Sequence, residues 1–274
     1  MFYIRQYTFG PVAAYEVGIS PGGKLLKSVY LYIADSVMID TGPHHLRKQI
    51  GKLLSDKTLS SVLLTHHHED HSGNAALVHK QCKVPVYVHP YGASKLLHGF
   101  YILPYQHILF GKAPSCNAAL MPKEIETDTL KLTAIHTPGH SKDHTVFYEK
   151  NNGWLFSGDL YLGEKIQFFR TDEKIDEQIE SLEMIAKLDF GTLFCGHRPC
   201  LKKGSDMIAR KLDFLKTFYQ QVKDLAQKGW SEKEIVTAMQ KKSDLPVKLF
   251  TMGNASFSHM VKSSLNAVYT TTRN

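Results

Sequence analysis

At 274 residues, 43% of them apolar, the sequence supports one large domain with a well-buried core, or one domain with a small appendage, rather than two full domains. The opening MFYIRQYTFG lacks the basic start, apolar run and cleavage site of a signal peptide, and no apolar stretch approaches the roughly 18 residues of a membrane span, so a cytoplasmic protein with no membrane partner is expected. The formal charge of +7 falls entirely in the last quarter, since residues 1–200 carry 20 basic and 20 acidic residues and residues 201–274 carry 13 and 6.

That asymmetry marks either an acidic or nucleic-acid partner or a solvated, lysine-rich helical surface, and the second is the simpler reading. The four cysteines, Cys82, Cys116, Cys195 and Cys200, are too few and too scattered for a disulfide framework. Cys195 and Cys200 flank His197 without the spacing of a zinc CxxC pair, so they are assigned no ligand role.

In chain order, VAAYEVGI, SVYLYIA and SVMID between residues 12 and 40 predict an antiparallel meander, turned at PGG and AD. HHLRKQIGKLL spaces Leu46, Ile50, Leu53 and Leu54 as a helix, and the short buried strand SVLLT runs from it into HHHEDH. A helix over 75–81 precedes the strand VPVYVHP. Residues 91–125 have no clean period and include GFYILPYQHILFGKAP, a length of irregular chain that favours a functional loop. The strands LKLTAIHT, HTVFYE and GWLFSGD follow, then the amphipathic helix DEQIESLEMIAKL and the strand TLFCGH. Beyond Pro199 the pattern is helical: a long helix stops at Gly229, SEKE opens a capped one at Ser231, and a last one covers about 256–269. The fold class is α/β, with polar clusters at the carboxyl ends of strands and helices outside.

The segment THHHEDHSG lies in the loop after a buried strand, where alternate side chains converge. His66 and His68 can share one metal while Asp70 and His71 turn toward another, and imidazole with carboxylate suits zinc, manganese or iron rather than calcium or magnesium. A histidine cluster alone is also what an adventitious metal trap looks like. However, TPGH at His140, SGD at Asp159 and CGH at His197 each end an apolar strand, and each ligand follows a glycine (139, 158, 196) that permits a sharp inward turn. Four such placements by chance are improbable.

HHHEDH, TPGH, SGD and CGH, in this order, resemble the motifs of the metallo-β-lactamase superfamily of hydrolases over roughly residues 12–200. The resemblance implies a four-layer αββα sandwich, with residues 1–200 as the catalytic domain and 201–274 as a basic helical C-terminal extension packed on it. It implies two divalent metals, zinc foremost with manganese or iron as alternatives. His66, His68 and His140 would hold the first, Asp70, His71 and His197 the second, and Asp159 would bridge both. Asp40, in VMIDTG, is implied to support the site from behind, with a strand-end turn as the competing reading. The bridging carboxylate resembles glyoxalase II, lactonases and metal-dependent ribonucleases rather than antibiotic-degrading members. GHSKDH and the helical tail resemble the branch of β-lactamase-like ribonucleases more than glyoxalase II.

The implied chemistry is hydrolysis by a metal-bridging hydroxide, because coordination lowers the pKa of water toward about 7. Asp70 is expected to accept and return the proton, and Tyr161 to donate a hydrogen bond to a substrate oxygen, as a tyrosine at a different spacing does in lactonase relatives. His67 and Glu69 fall between ligands and are expected to point away from the metals, either at the surface or behind the ligands in support of them. His89 and His144 are expected to be satisfied structural histidines, with orientation of a ligand as the alternative. The first functional reading is hydrolysis of a small-molecule ester, thioester or lactone, in a pocket roofed by Phe100, Tyr101, Tyr105, Phe110, Phe168 and Phe169. The alternative is a ribonuclease or phosphodiesterase whose basic tail tracks the phosphates of single-stranded nucleic acid. A mononuclear iron enzyme and a non-catalytic binding protein fit a complete set of seven ligands less well. Homodimerisation through the tail, and closure of the tail over the site, are both open.

Overall fold

The computed structural model describes residues 2–19 and 27–271; the PGG turn expected at 21–23 lies outside the described residues. A seven-stranded sheet runs in the order β1 (Phe2–Phe9), β2 (Val12–Ile19), β3 (Lys27–Ala34), β4 (Val37–Ile39), β5 (Ser61–Leu63), β6 (Val86–Val88), β7 (Ala119–Leu120). Its first four strands form the antiparallel meander and the rest add in parallel. A five-stranded sheet faces it in the order β13 (Thr192–Cys195), β11 (Trp154–Gly158), β10 (Thr145–Glu149), β9 (Lys131–His136), β8 (Glu124–Glu126).

Both faces of each sheet are covered, and the two-residue period of the strands sorts their side chains between the covers. In β2 and β3, Val12, Ala14, Tyr32 and Ala34 enter the layer between the sheets, while Tyr15, Val17, Val29 and Leu31 face the other way. In β10, β11 and β13, Phe147, Phe156 and Phe194 fill the same central layer, and their neighbours Val146, Leu155 and Leu193 face outward. Phe156 and Phe194 stack at 4.8 Å between centroids. Burying each such ring is worth about 1.5–3 kcal/mol relative to exposure.

Helices α1 (Arg47–Leu53) and α3 (Ala75–Cys82) seal the first sheet through Ile50, Leu54 and Val78. Helices α6 (Ile175–Ile185), α7 (Gly204–Gln227) and α10 (Phe257–Thr271) seal the second through Leu182, Ile208, Leu215, Met260 and Leu265. The result is an α/β/β/α stack with the C-terminal helices in its outer layer. Both Ser231 and Glu234 satisfy the expected capping box of α8 (Glu232–Met239).

Several elements differ from the sequence reading. β1 pairs with β2 along its whole length, although Arg5 and Gln6 break its apolar pattern, because it is an edge strand. A single helical turn, α2 (Glu69–Ser72), follows the histidine-rich loop, and the stretch expected to be irregular holds two helices, α4 (Pro90–His98) and α5 (Pro104–Leu109). Helix α4 buries only Gly92 and Leu96, too short a stripe to show a period, and starts where His89 accepts from the Tyr91 N–H. The one buried residue of α5 is the polar Gln106, which inverts the usual signal. Finally, β12 (Phe169–Arg170) pairs with β14 (Ala255–Ser256), after the short α9 (Leu245–Phe250), and stitches the C-terminal segment to the loop beyond Asp159.

Candidate metal centre

Each strand of interest ends at the same edge of the sandwich. β4 ends at Asp40, β5 leads to His66, β9 to His140, β11 to Asp159 and β13 to His197. Three sets of ligand atoms lie within 4.8 Å of one another: those of His66, His68 and His140, those of His66, His71 and Asp159, and those of Asp70, His71 and His197. All seven expected side chains therefore converge. His66 Nε2 is 2.8 Å and His140 Nε2 3.2 Å from His68 Nδ1. Asp159 spans the sets, with Oδ2 at 3.4 Å from His140 Nε2, and Oδ1 at 3.3 Å from His71 Nε2 and 3.4 Å from His197 Nε2. Asp70 Oδ2 lies 3.5 Å from His197 Nε2.

The donor set fits a metal. Burial drives His66 and His68 well below the ordinary imidazole value, so both present neutral nitrogens. Lone pairs on converging neutral nitrogens repel unless a proton or a cation sits among them. Burial opposes charge on Asp159, yet the imidazoles of His197 and His71 hold its carboxyl well below the usual range. His71 Nε2 and Asp159 Oδ1 are buried without a hydrogen-bond partner, a costly arrangement that coordination would relieve.

The supporting contacts fix each ring. Asp40 Oδ2 is 2.7 Å from His71 Nδ1, and Asp40 also accepts from the Thr65 backbone N–H at 2.8 Å, so it is both a strand-end turn, at φ 59°, and a ligand support. Thr65 Oγ1 reaches His66 Nδ1 at 3.0 Å, and the Ser28 carbonyl reaches His197 Nδ1 at 2.6 Å. His144 orients rather than ligates: its Nε2 accepts from the Asp159 N–H at 3.0 Å, which burial favours by pushing the imidazole down to about 3. His89 stays structural, stacked on His136 at 3.9 Å.

Two of the three glycines turn the chain as expected, Gly139 at φ 121° and Gly158 at φ 46°. Gly196 serves close approach instead, since a Cβ there would lie 2.7 Å from His71 Cε1 and 2.8 Å from Asp159 Oδ1.

A cavity of about 700 Å³ opens over these ligands, lined also by Tyr105, Phe110, Phe168 and Phe250. Of the expected roof, Tyr105, Phe110 and Phe168 take part. Phe169 is buried in the outer core, Phe100 packs edge-on to His67 at 5.0 Å, and Tyr101 is 84% exposed. Tyr161 corrects the sequence reading: it is buried among the outer-face side chains, its hydroxyl donates to Met207 Sδ at 3.4 Å, and it does not line the cavity. Three residues beyond the end of β11, the chain carries it into the outer core.

Of the two readings for His67 and Glu69, both side chains take the buried one rather than the surface. His67 Nδ1 and its backbone N–H both bind Asp143, at 2.7 and 2.8 Å, and Asp143 also accepts from Ser141 Oγ at 2.9 Å. One carboxylate thus ties the loop carrying His66 and His68 to the loop carrying His140. Glu69 is 1% exposed, accepts from Gln106 Nε2 at 2.6 Å and lines the cavity. Arg170 and Glu173 line it too, and Glu173 Oε2 lies 3.6 Å from His140 Nδ1. Isolated charged residues carry no periodic signal, so Asp143, Arg170 and Glu173 were not visible from sequence.

The sequence profile of the metallo-beta-lactamase superfamily matches residues 23–197. The chain belongs to the metallo-beta-lactamase superfamily. Among relatives, the beta-lactamase-like protein 2 homolog of Drosophila melanogaster is 30% identical over 196 residues, covering 66% of this chain and 62% of that protein. The thioesterase pkgB of Emericella nidulans is 27% identical over 202 residues, covering 71% and 53%. The chain thus spans only about half to three-fifths of the length of these relatives. A crystal structure of a metallo-beta-lactamase family protein from Thermus thermophilus superposes with a TM-score of 0.65 at 17% identity, covering 96% of this chain and 94% of that one, which establishes the shared fold. The three His/Asp groups at the edge of the sandwich could hold metal ions, in keeping with this superfamily. No described helix is long and apolar enough to cross a membrane.

Proposed function

We propose that this superfamily hydrolase cleaves the carbonyl of a small-molecule ester, thioester or lactone at a dinuclear metal site, most simply with zinc. The observation that carries the dinuclear reading is Asp159, whose two oxygens face different sets of imidazoles. His66, His68 and His140 would hold one ion, Asp70, His71 and His197 the other, and Asp159 both. Bound there, the ions would supply hydroxide near neutral pH and polarise the carbonyl under attack. Asp70, which lines the cavity, would accept the proton released on attack and return it to the leaving group. The aromatic wall of Tyr105, Phe110 and Phe168 would exclude water from the acyl group. Residues 1–200 are the catalytic part of this reading and 201–274 the helical extension packed on it.

The name of the Emericella nidulans relative supports a thioester before other acyl groups. A second reading, phosphodiester cleavage in single-stranded nucleic acid, is favoured by Lys165 and Arg198 on the cavity wall. The deciding experiment offers the zinc-loaded protein a small thioester and a labelled single-stranded RNA at low and moderate salt, beside chelated controls. Thioester turnover lost on chelation and restored by zinc is expected. Cleavage of RNA alone, falling steeply with salt, would overturn the acyl reading in favour of the second.

A further inference from the structure

Two residues of the cavity wall each carry a buried polar atom whose hydrogen-bonding capacity no group among the described residues uses. Glu69 commits Oε1 to Gln106 Nε2 at 2.6 Å, while its Oε2 is buried without a partner. Arg170 Nε is buried without one as well, and the carboxylate near it, Asp172 Oδ1, lies 3.7 Å away, beyond hydrogen-bond reach. Leaving either atom bare costs the full desolvation of a charged group's hydrogen bond. Both residues line the same cavity as His68, Asp70 and Asp159.

Both residues sit on segments anchored by neighbouring elements. Glu69 sits at the start of α2, one residue from the ligand Asp70, and is held by Gln106 from α5. Arg170 is held through its backbone, paired with Ala255 across the β12–β14 ribbon and donating its N–H to Glu173 Oε1 at 3.2 Å. The wall therefore carries one unused donor and one unused acceptor on anchored segments.

We propose that Glu69 and Arg170 form a specificity subsite for a substrate group that both accepts and donates a hydrogen bond, a hydroxyl or an amide. An alkyl chain satisfies neither atom. A carboxylate satisfies Arg170 but brings no proton for Glu69 Oε2. A hydroxyl oxygen accepts from the Arg170 Nε–H and gives its own proton to Glu69 Oε2, and an amide does the same with its carbonyl and its N–H. For catalysis the inference rests on the acyl-hydrolase reading; for binding it does not.

Four thioesters test it, with acetyl or hydroxyacetyl on the acyl side and ethanethiol or N-acetylcysteamine on the thiol side. Adding the hydroxyl or the amide is expected to raise kcat/KM by about 10- to 100-fold, and the arm that responds tells where the polar group sits. Arg170→Lys keeps the charge and removes the Nε–H. In Glu69→Gln the amide oxygen stays with Gln106, so the acceptor facing the cavity becomes a donor. Each variant is expected to shrink the preference below about three-fold, a ratio that a general loss of activity does not alter. Calorimetric binding of non-hydrolysable thioether analogues of the same four compounds to metal-loaded wild-type protein reads the subsite without turnover or a variant. Turnover without preference overturns the subsite alone, as does a preference that survives both substitutions. Tighter binding of the polar analogues with no thioester turned over overturns the hydrolase reading and keeps the subsite. Neither turnover nor differential binding overturns both.

Discussion

Lys211 is a fully buried lysine in α7 whose Nζ donates to the Leu160 carbonyl at 2.5 Å, one residue beyond Asp159. Burial lowers its ammonium from 10.5 to about 8. That difference corresponds to about 3 kcal/mol. The folded pKa lies below the unfolded one, so between pH 8 and 10.5 the unfolded chain binds more protons and stability rises with pH. Below pH 8 the penalty is present in full. Lys211→Met removes the penalty but strands a buried carbonyl, at a cost of about 1–3 kcal/mol, so the two nearly cancel at neutral pH. Denaturant unfolding of wild type and variant at pH 7.5 and pH 10 isolates the effect, because all other titrating groups are shared. Wild type is expected to gain about 2 kcal/mol on the variant across that interval, as the neutral amine keeps its bond to Leu160. Parallel stability curves would refute both the burial argument and the idea that this lysine clamps the turn after Asp159.

Asp159→Ala is expected to leave at most one equivalent of tightly held metal after dialysis and to abolish nearly all turnover; full occupancy with wild-type rate would sink the dinuclear mechanism. Asp40→Ala removes the 2.7 Å contact to His71 and should weaken metal affinity about 10- to 100-fold in a competition titration with a chromophoric chelator. Gly196→Ala pushes a Cβ against His71 and Asp159, and should cost about 1–3 kcal/mol in thermal unfolding along with occupancy of the second site. Unchanged metal content in that variant would show that the two ligands yield freely.

The fold was legible where the chain obeys a period. Strands β2, β3, β10, β11 and β13 alternate between two covered faces, and α1, α6, α7 and α10 carry stripes wide enough to read. Where burial is carried by a polar or small residue the signal disappears. Gln106 is the buried face of α5, and Gly92 is half that of α4, where a Cβ would strike Asp143 Oδ2. Such positions are decided by what the neighbouring element brings, and a single segment contains no trace of it.

The site divides along the same line. Ligands to a metal are restricted to a few residue types, and they stand at strand ends beside glycines, so their convergence can be read from spacing. The residues that orient them obey no such restriction. Asp143 is an ordinary loop aspartate in GHSKDH until His67, 76 positions away, brings both its N–H groups to it. Tyr161 shows the converse error, a functional type at a suggestive spacing that the chain beyond β11 turns into the core. Glu69 shows why adjacency to ligands misleads: alternate residues of a tight loop do point apart, but the second direction here is the cavity wall rather than solvent. In this proposal specificity depends on side chains, Glu69 and Arg170, that are far apart in the chain and that α2, α5 and the β12–β14 ribbon bring to one wall.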